Sequence, residues 1–130
     1  MFNALLSLVG RVLLAAVFIP AGFQKFSAIE GTAGYITSVG LPAGTALAWA
    51  AAVFEVVAGI AVLVGFQTKY AALALATFCV FTGLVFHGGA DQMQQIMMFK
   101  NIGLAGGFLA LAAAGAGAWS VDAKRGLAAA

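Results

Sequence analysis

Four long apolar runs dominate this chain, at about Ala4–Phe23, Ala43–Phe66, Tyr70–Phe86 and Ile96–Trp119. A helix needs about 20 mostly apolar residues to cross roughly 30 Å of hydrocarbon, and each run is near that length. Lipid cannot satisfy free backbone groups, so only helices and closed barrels span it. No run shows the two-residue alternation of a barrel strand. The expected fold is therefore all-α: an integral membrane four-helix transmembrane bundle. Composition points the same way. Of 130 residues, 64% are hydrophobic and 8% charged, whereas a soluble domain carries about 25% charged residues to cover its core. A single domain over residues 1–130 is expected.

The N-terminal run lacks a basic leader and contains Arg11, so it reads as the first span and not as a cleavable signal. Gln67-Thr68-Lys69 joins the second and third spans in a tight antiparallel turn, and a polar segment from His87 to Gln95 joins the third and fourth. Gln24–Pro42 is too polar to cross. Within it Ile29, Tyr35, Ile36 and Val39 can share an apolar stripe, and Gly40 with Pro42 makes a helix stop. A short interfacial helix between spans one and two is expected there, with an irregular loop as the alternative. Lys69, Lys124 and Arg125 fall on the side of the N-terminus; Lys25 and Lys100, with Glu30 and Asp91, fall on the other. The positive-inside rule then places both termini in the cytoplasm.

Net charge is +2, and the six basic residues are spread along the chain, which gives no patch for nucleic acid. The single Cys79 excludes an intrachain disulfide and any Cys-x-x-Cys motif. No covalently bound cofactor has an obvious anchor. Met93, Met97 and Met98 near His87 are of a type that suits Cu(I), but no second His or Met-x-x-Met run supports them. They read as apolar contacts, and no metal is expected.

The informative residues are those that lipid should exclude. From span ends on the same side, Arg11 and Glu55 come out at depths of roughly 11 and 17 Å at 1.5 Å per residue. Charges at such depth face the bundle interior and pair, so Arg11–Glu55 is the expected buried ion pair, as a functional site or as ionic glue fixing register. At 100° per residue, Arg11, Phe18, Gly22 and Lys25 share one face of span one. Gly44, Ala48, Ala51, Ala52, Glu55 and Gly59 share one on span two. Ala76, Val80, Gly83 and His87 group on span three, and Lys100, Gly103, Gly107 and Leu111 on span four. Lys25, His87, Lys100 and Asn101 all lie toward the outer helix ends, a candidate polar mouth with hydrogen-bond donors for a carbonyl or carboxylate ligand. The competing reading is that both lysines snorkel to headgroups and His87 marks an interface.

Several local patterns, in order along nearly the whole chain, resemble the DoxX family of small bacterial membrane proteins. They are Gly10-Arg11, Ala21-Gly22-Phe23-Gln24-Lys25, Gly40-Leu41-Pro42, Glu55 with Gly59, Gly65-Phe66-Gln67-Thr68-Lys69 and Phe86-His87. Phe99-Lys100-Asn101, Gly106-Gly107 and Gly115-Ala116-Gly117-Ala118-Trp119-Ser120-Val121-Asp122 complete the set. Family members often have Gly-Pro-Gly where this chain has Gly115-Ala116-Gly117, a departure confined to a helix end. The resemblance implies a multi-pass protein of the bacterial inner membrane, in contact with membrane lipid. Some family members are subunits of quinone-linked oxidoreductases, including thiosulfate oxidation, and others associate with redox-stress enzymes. It thus implies quinone as a ligand and an oxidoreductase as a partner. It supplies no agreed catalytic residues.

Three functions stay open: a membrane subunit or anchor of a redox system binding a lipophilic ligand, a small transporter, and a structural partner without chemistry. A homo-oligomer is compatible with each. No inverted repeat or broken helix pair favours transport.

Overall fold

A computed structural model describes residues 1–126. It contains α1 (Phe2–Phe26), α2 (Ile29–Ser38), α3 (Gly44–Val64), α4 (Thr68–Phe86), α5 (Gln92–Ala114) and α6 (Val121–Lys124). Among the described residues α1, α3, α4 and α5 are long and apolar enough to cross a membrane, and α2 is the short helix expected between spans one and two. The main departure is at the fourth span. Its helix stops at Ala114, because Gly115 and Gly117 take φ of +84° and +85°, a region that Cβ makes costly. Residues 115–120 then fold back along the end of the bundle, so Trp119 belongs to this returning segment.

The bundle is two antiparallel pairs, α1 with α3 and α4 with α5, joined through α3–α4 and a crossing of α1 and α5. In α1 the buried residues are Ala4, Arg11, Ala15, Phe18 and Gly22, spaced by sevens, threes and fours as in a coiled-coil seam. Opposite them α3 buries Ala48, Ala52, Glu55, Ala58, Gly59 and Val62. Small residues let the two backbones close. A Cβ on Gly22 would lie 2.9 Å from the Ala52 carbonyl oxygen and 3.0 Å from the Val56 nitrogen. Where the pairs meet, Phe18 stands edge-on to Phe108 of α5 (centroids 5.5 Å apart) and to Phe78 of α4 (6.4 Å). Such edge-to-face packing suits ring quadrupoles.

The inward faces of α1 and α3 agree with the helical-phase reading; those of α4 and α5 agree only in part, Ala76 and Gly83 being buried as expected. α4 buries Ala72, Leu75, Ala76, Cys79 and Gly83 and leaves Val80 exposed. α5 buries Ala105, Phe108 and Ala112 and leaves Lys100 and Gly103 exposed, while a Cβ on Gly107 would lie 3.5 Å from Leu14 of α1. The physical reason is that both faces of these helices are apolar. In lipid the outward face needs no polar residues, so periodicity carries little information about which side packs.

The glycines yield a paired test. Gly22→Ala should destabilise the protein in detergent by about 1–3 kcal/mol through overpacking against backbone. Gly103→Ala, whose Cβ would meet nothing within 4 Å, should leave thermal unfolding unchanged or raise its midpoint slightly. Equal behaviour of the two variants would contradict this helix contact.

Candidate functional site

Two charged centres are buried along the α1–α3 seam, at different depths. The first is built on Arg11, which is 1% exposed. α3 ends on Gly65 at φ +73°, with the Gly65 N–H donating to Val62 and the Phe66 N–H to Ala61. This is a Schellman closure, and it leaves the last carbonyls of the helix short of donors. Arg11 supplies them. Its Nη1 donates to the Leu63 carbonyl at 2.7 Å and reaches that of Val62 at 3.4 Å, while Nη2 donates to the carbonyl of Trp119. A cation here also opposes the negative end of the α3 dipole.

Asp122 does the converse for α4. Its Oδ1 accepts from the Gln67 N–H at 2.8 Å and its Oδ2 from the Thr68 N–H at 2.9 Å, and its own N–H donates to the Gly65 carbonyl at 2.8 Å. Burial works against its charge, but these amides, with Arg125, outweigh it and hold the carboxyl below its usual range. Ser120 fixes the returning segment: Oγ donates to Gly117 and accepts from the Ala123 N–H. Sequence reasoning did not assign this capping role to Asp122. Its local signal is the Ser120-Val121-Asp122 helix start, but nothing local says which helix end its carboxylate will meet.

The second centre is Lys25–Glu55. Nζ and Oε2 are 3.1 Å apart, with side chains 28% and 4% exposed. The expected Arg11–Glu55 pair is not formed, and the reason lies in side-chain direction. Side chains on a helix lean toward its N-terminus. Arg11 therefore leans toward the start of α1 and the end of α3, whereas Glu55 on the antiparallel α3 leans the opposite way. Lys25, at the end of α1, leans back into the bundle and meets it. The level of Val62, where Arg11 lands, is seven residues or about 10 Å beyond Glu55.

The remaining candidate residues have contacts that divide them. His87 Nδ1 lies 2.9 Å from Gln94 Oε1, and Asn101 Nδ2 donates to Thr82 Oγ1 at 3.1 Å; both bonds join α4 to α5. Lys100 is exposed. Only Lys25 of the expected mouth is engaged with the buried acid. Next to Lys25 in sequence, Phe26 lies between Phe23 and Trp49, with centroids 6.4 and 5.7 Å away. The end of the α1–α3 seam away from the N-terminus thus combines an ion pair with an aromatic edge. Among the described residues, no three His, Cys, Asp or Glu side chains gather as metal ligands would.

Four apolar spans with charges turned inward define a small multi-pass integral membrane protein. Residues 6–88 match the DoxX family, and the chain belongs to that family. It is 39% identical over 116 residues to the inner membrane protein YqjF of Escherichia coli K12, covering 88% of each chain. It is also 35% identical over 123 residues to the inner membrane protein YphA of the same organism, covering 90% of this chain and 88% of that one. No solved structure matches. With relatives in the inner membrane and four candidate spans, this is a multi-pass inner membrane protein.

The two centres should respond differently to substitution. Arg11→Met takes the side-chain donor from the Leu63 and Trp119 carbonyls and should cost about 3–5 kcal/mol, the usual effect of breaking a buried charge site. Arg11→Lys should recover only part of this, because an ammonium lacks the planar fork. Glu55→Leu should destabilise less than Arg11→Met, since the Lys25 left behind is partly exposed, whereas Lys25→Met strands the closed Glu55 carboxyl and should cost more than Glu55→Leu. The Lys25→Met/Glu55→Leu double variant should regain most of the loss. Thermal unfolding in detergent reads all of these, and strictly additive single effects would sink the Lys25–Glu55 pairing.

Proposed function

We propose that this protein is a membrane subunit or anchor of a quinone-linked or redox-stress oxidoreductase system, holding a lipophilic, carbonyl-bearing ligand at Lys25–Glu55. The observation that carries this reading is an ion pair set into an apolar seam, with its cation partly open and an aromatic edge beside it. Lys25 has three N–H donors, and its bond to Glu55 uses one of them. The others can donate to a carbonyl oxygen entering from the bilayer, while Phe26 and Trp49 offer flat apolar faces for a ring. A bound quinone would supply two-electron chemistry, with electrons exchanged with a partner oxidoreductase. Lys25 would orient the carbonyl, and the pair would hold exchangeable protons within reach of that oxygen. Glu55, closed from solvent, would keep Lys25 charged and fixed in place.

Arginine and lysine distribution supports an orientation with both termini in the cytoplasm. Lys69, Lys124 and Arg125 share the end that carries the N-terminus, whereas Lys25 and Lys100 lie with Glu30 and Asp91 at the other.

Purified protein in gentle detergent, equilibrated with ubiquinone or menaquinone, should retain quinone in native mass spectra. The Lys25→Met/Glu55→Leu double variant should remain folded and lose it, while His87→Ala and Lys100→Met keep it. Retention by the folded double variant would remove this site from consideration. For the orientation, a reporter fused to the C-terminus should be active in the cytoplasm; activity on the outer side would reverse it.

A further inference from the structure

The end of the bundle that carries the N-terminus has a shallow groove of ≈400 Å³ lined by Val64, Ala118, Trp119, Ser120, Val121 and Lys124. It lies where α3 ends and the returning segment crosses, which is the level where a spanning helix leaves hydrocarbon. Its walls are apolar and open: Val64 is 42% and Trp119 46% exposed. Indole at such a level suits the boundary between acyl chains and headgroups. The rim is basic. Lys124 lines the groove, and the Arg125 guanidinium lies over the Phe66 ring, 5.1 Å from its centroid. Asp122, the nearby acid, has both carboxylate oxygens turned to the Gln67 and Thr68 amides and shares its charge with Arg125, so Lys124 is the cation that faces the groove directly.

We propose that this groove binds one anionic phospholipid. Lys124 and Arg125 hold its phosphodiester, and Val64 and Trp119 receive the first carbons of an acyl chain. Apolar walls under a basic rim demand a ligand that is amphiphilic and negatively charged, and the bilayer is its source. Trp119 connects the groove to the interior, because its main-chain carbonyl accepts from Arg11. A lipid seated there would brace the same segment that Arg11 and Asp122 hold. This inference is independent of the Lys25–Glu55 reading.

The test is native mass spectrometry of the full chain released from nanodiscs containing equal phosphatidylglycerol and phosphatidylcholine. One phosphatidylglycerol should survive at collision energies that strip phosphatidylcholine. Lys124→Gln/Arg125→Gln should weaken its retention by about fivefold or more per charge, the factor equivalent to about 1 kcal/mol for each basic residue near a membrane surface. Trp119→Ala should also weaken it, with thermal unfolding unchanged, because the bond to Arg11 uses the main chain. Lys69→Gln, at the same end but outside the groove, should have no effect. Equal retention of the two lipids, an equal loss in Lys69→Gln, or full displacement by millimolar inorganic phosphate would each overturn the proposal.

Discussion

The turn between α3 and α4 depends on two charges that come from elsewhere in the chain. Helix ends leave carbonyls at one terminus and N–H groups at the other without partners, and at the edge of a membrane water is scarce. Arg11 from α1 covers the carbonyl end of α3, and Asp122 from α6 covers the amide end of α4. Each carries the sign that opposes the helix dipole it meets. Three segments distant in sequence are thereby tied together: the first helix, the central turn and the returning segment after α5. Gly65 sits at the crossing, where a Cβ would strike Ser120 and crowd Arg11 and Ala116.

The two ends of the α1–α3 seam therefore have different characters. At Arg11 most donor capacity is spent on main-chain oxygens, which suits a fixed structural role. At Lys25 the acid is closed and the base is partly open, which suits a place where something binds. A buried ion pair by itself adds little stability compared with an apolar substitute, so stability alone does not account for Lys25–Glu55. α2 helps shape the Lys25 end. Its Tyr35 stacks on Phe86, with centroids 5.3 Å apart, and its hydroxyl donates to the Phe86 carbonyl. That contact fastens the connection between α1 and α3 to the end of α4.

The sequence by itself determined the solvent and the architecture. Apolar runs of spanning length, with polar connections of fixed length between them, leave a four-helix membrane bundle as the only way to satisfy the backbone. It also marked Arg11 and Glu55 as residues that had to turn inward, since lipid excludes charge, and left Lys25 between a polar mouth and the headgroups. The inward faces of α1 and α3 were legible for the same reason: polar and small residues there break an otherwise uniform surface.

What only the tertiary structure decided is who meets whom. Depth alone made Arg11 and Glu55 partners, but the tilt of side chains toward each helix's N-terminus sends them apart and gives Glu55 to Lys25. The packed faces of α4 and α5 were only partly legible because Val80 and Leu75, or Gly103 and Phe108, are equally soluble in lipid. The end of α5 at Ala114 was hidden too, since Ala116, Ala118 and Trp119 continue an apolar run that hydropathy cannot distinguish from helix. The role of Asp122 depends on a chain reversal that brings residue 122 to residues 67 and 68. No local pattern encodes that contact; it follows from the positive-φ glycines at 115 and 117 and from the unpaired amides waiting at the start of α4.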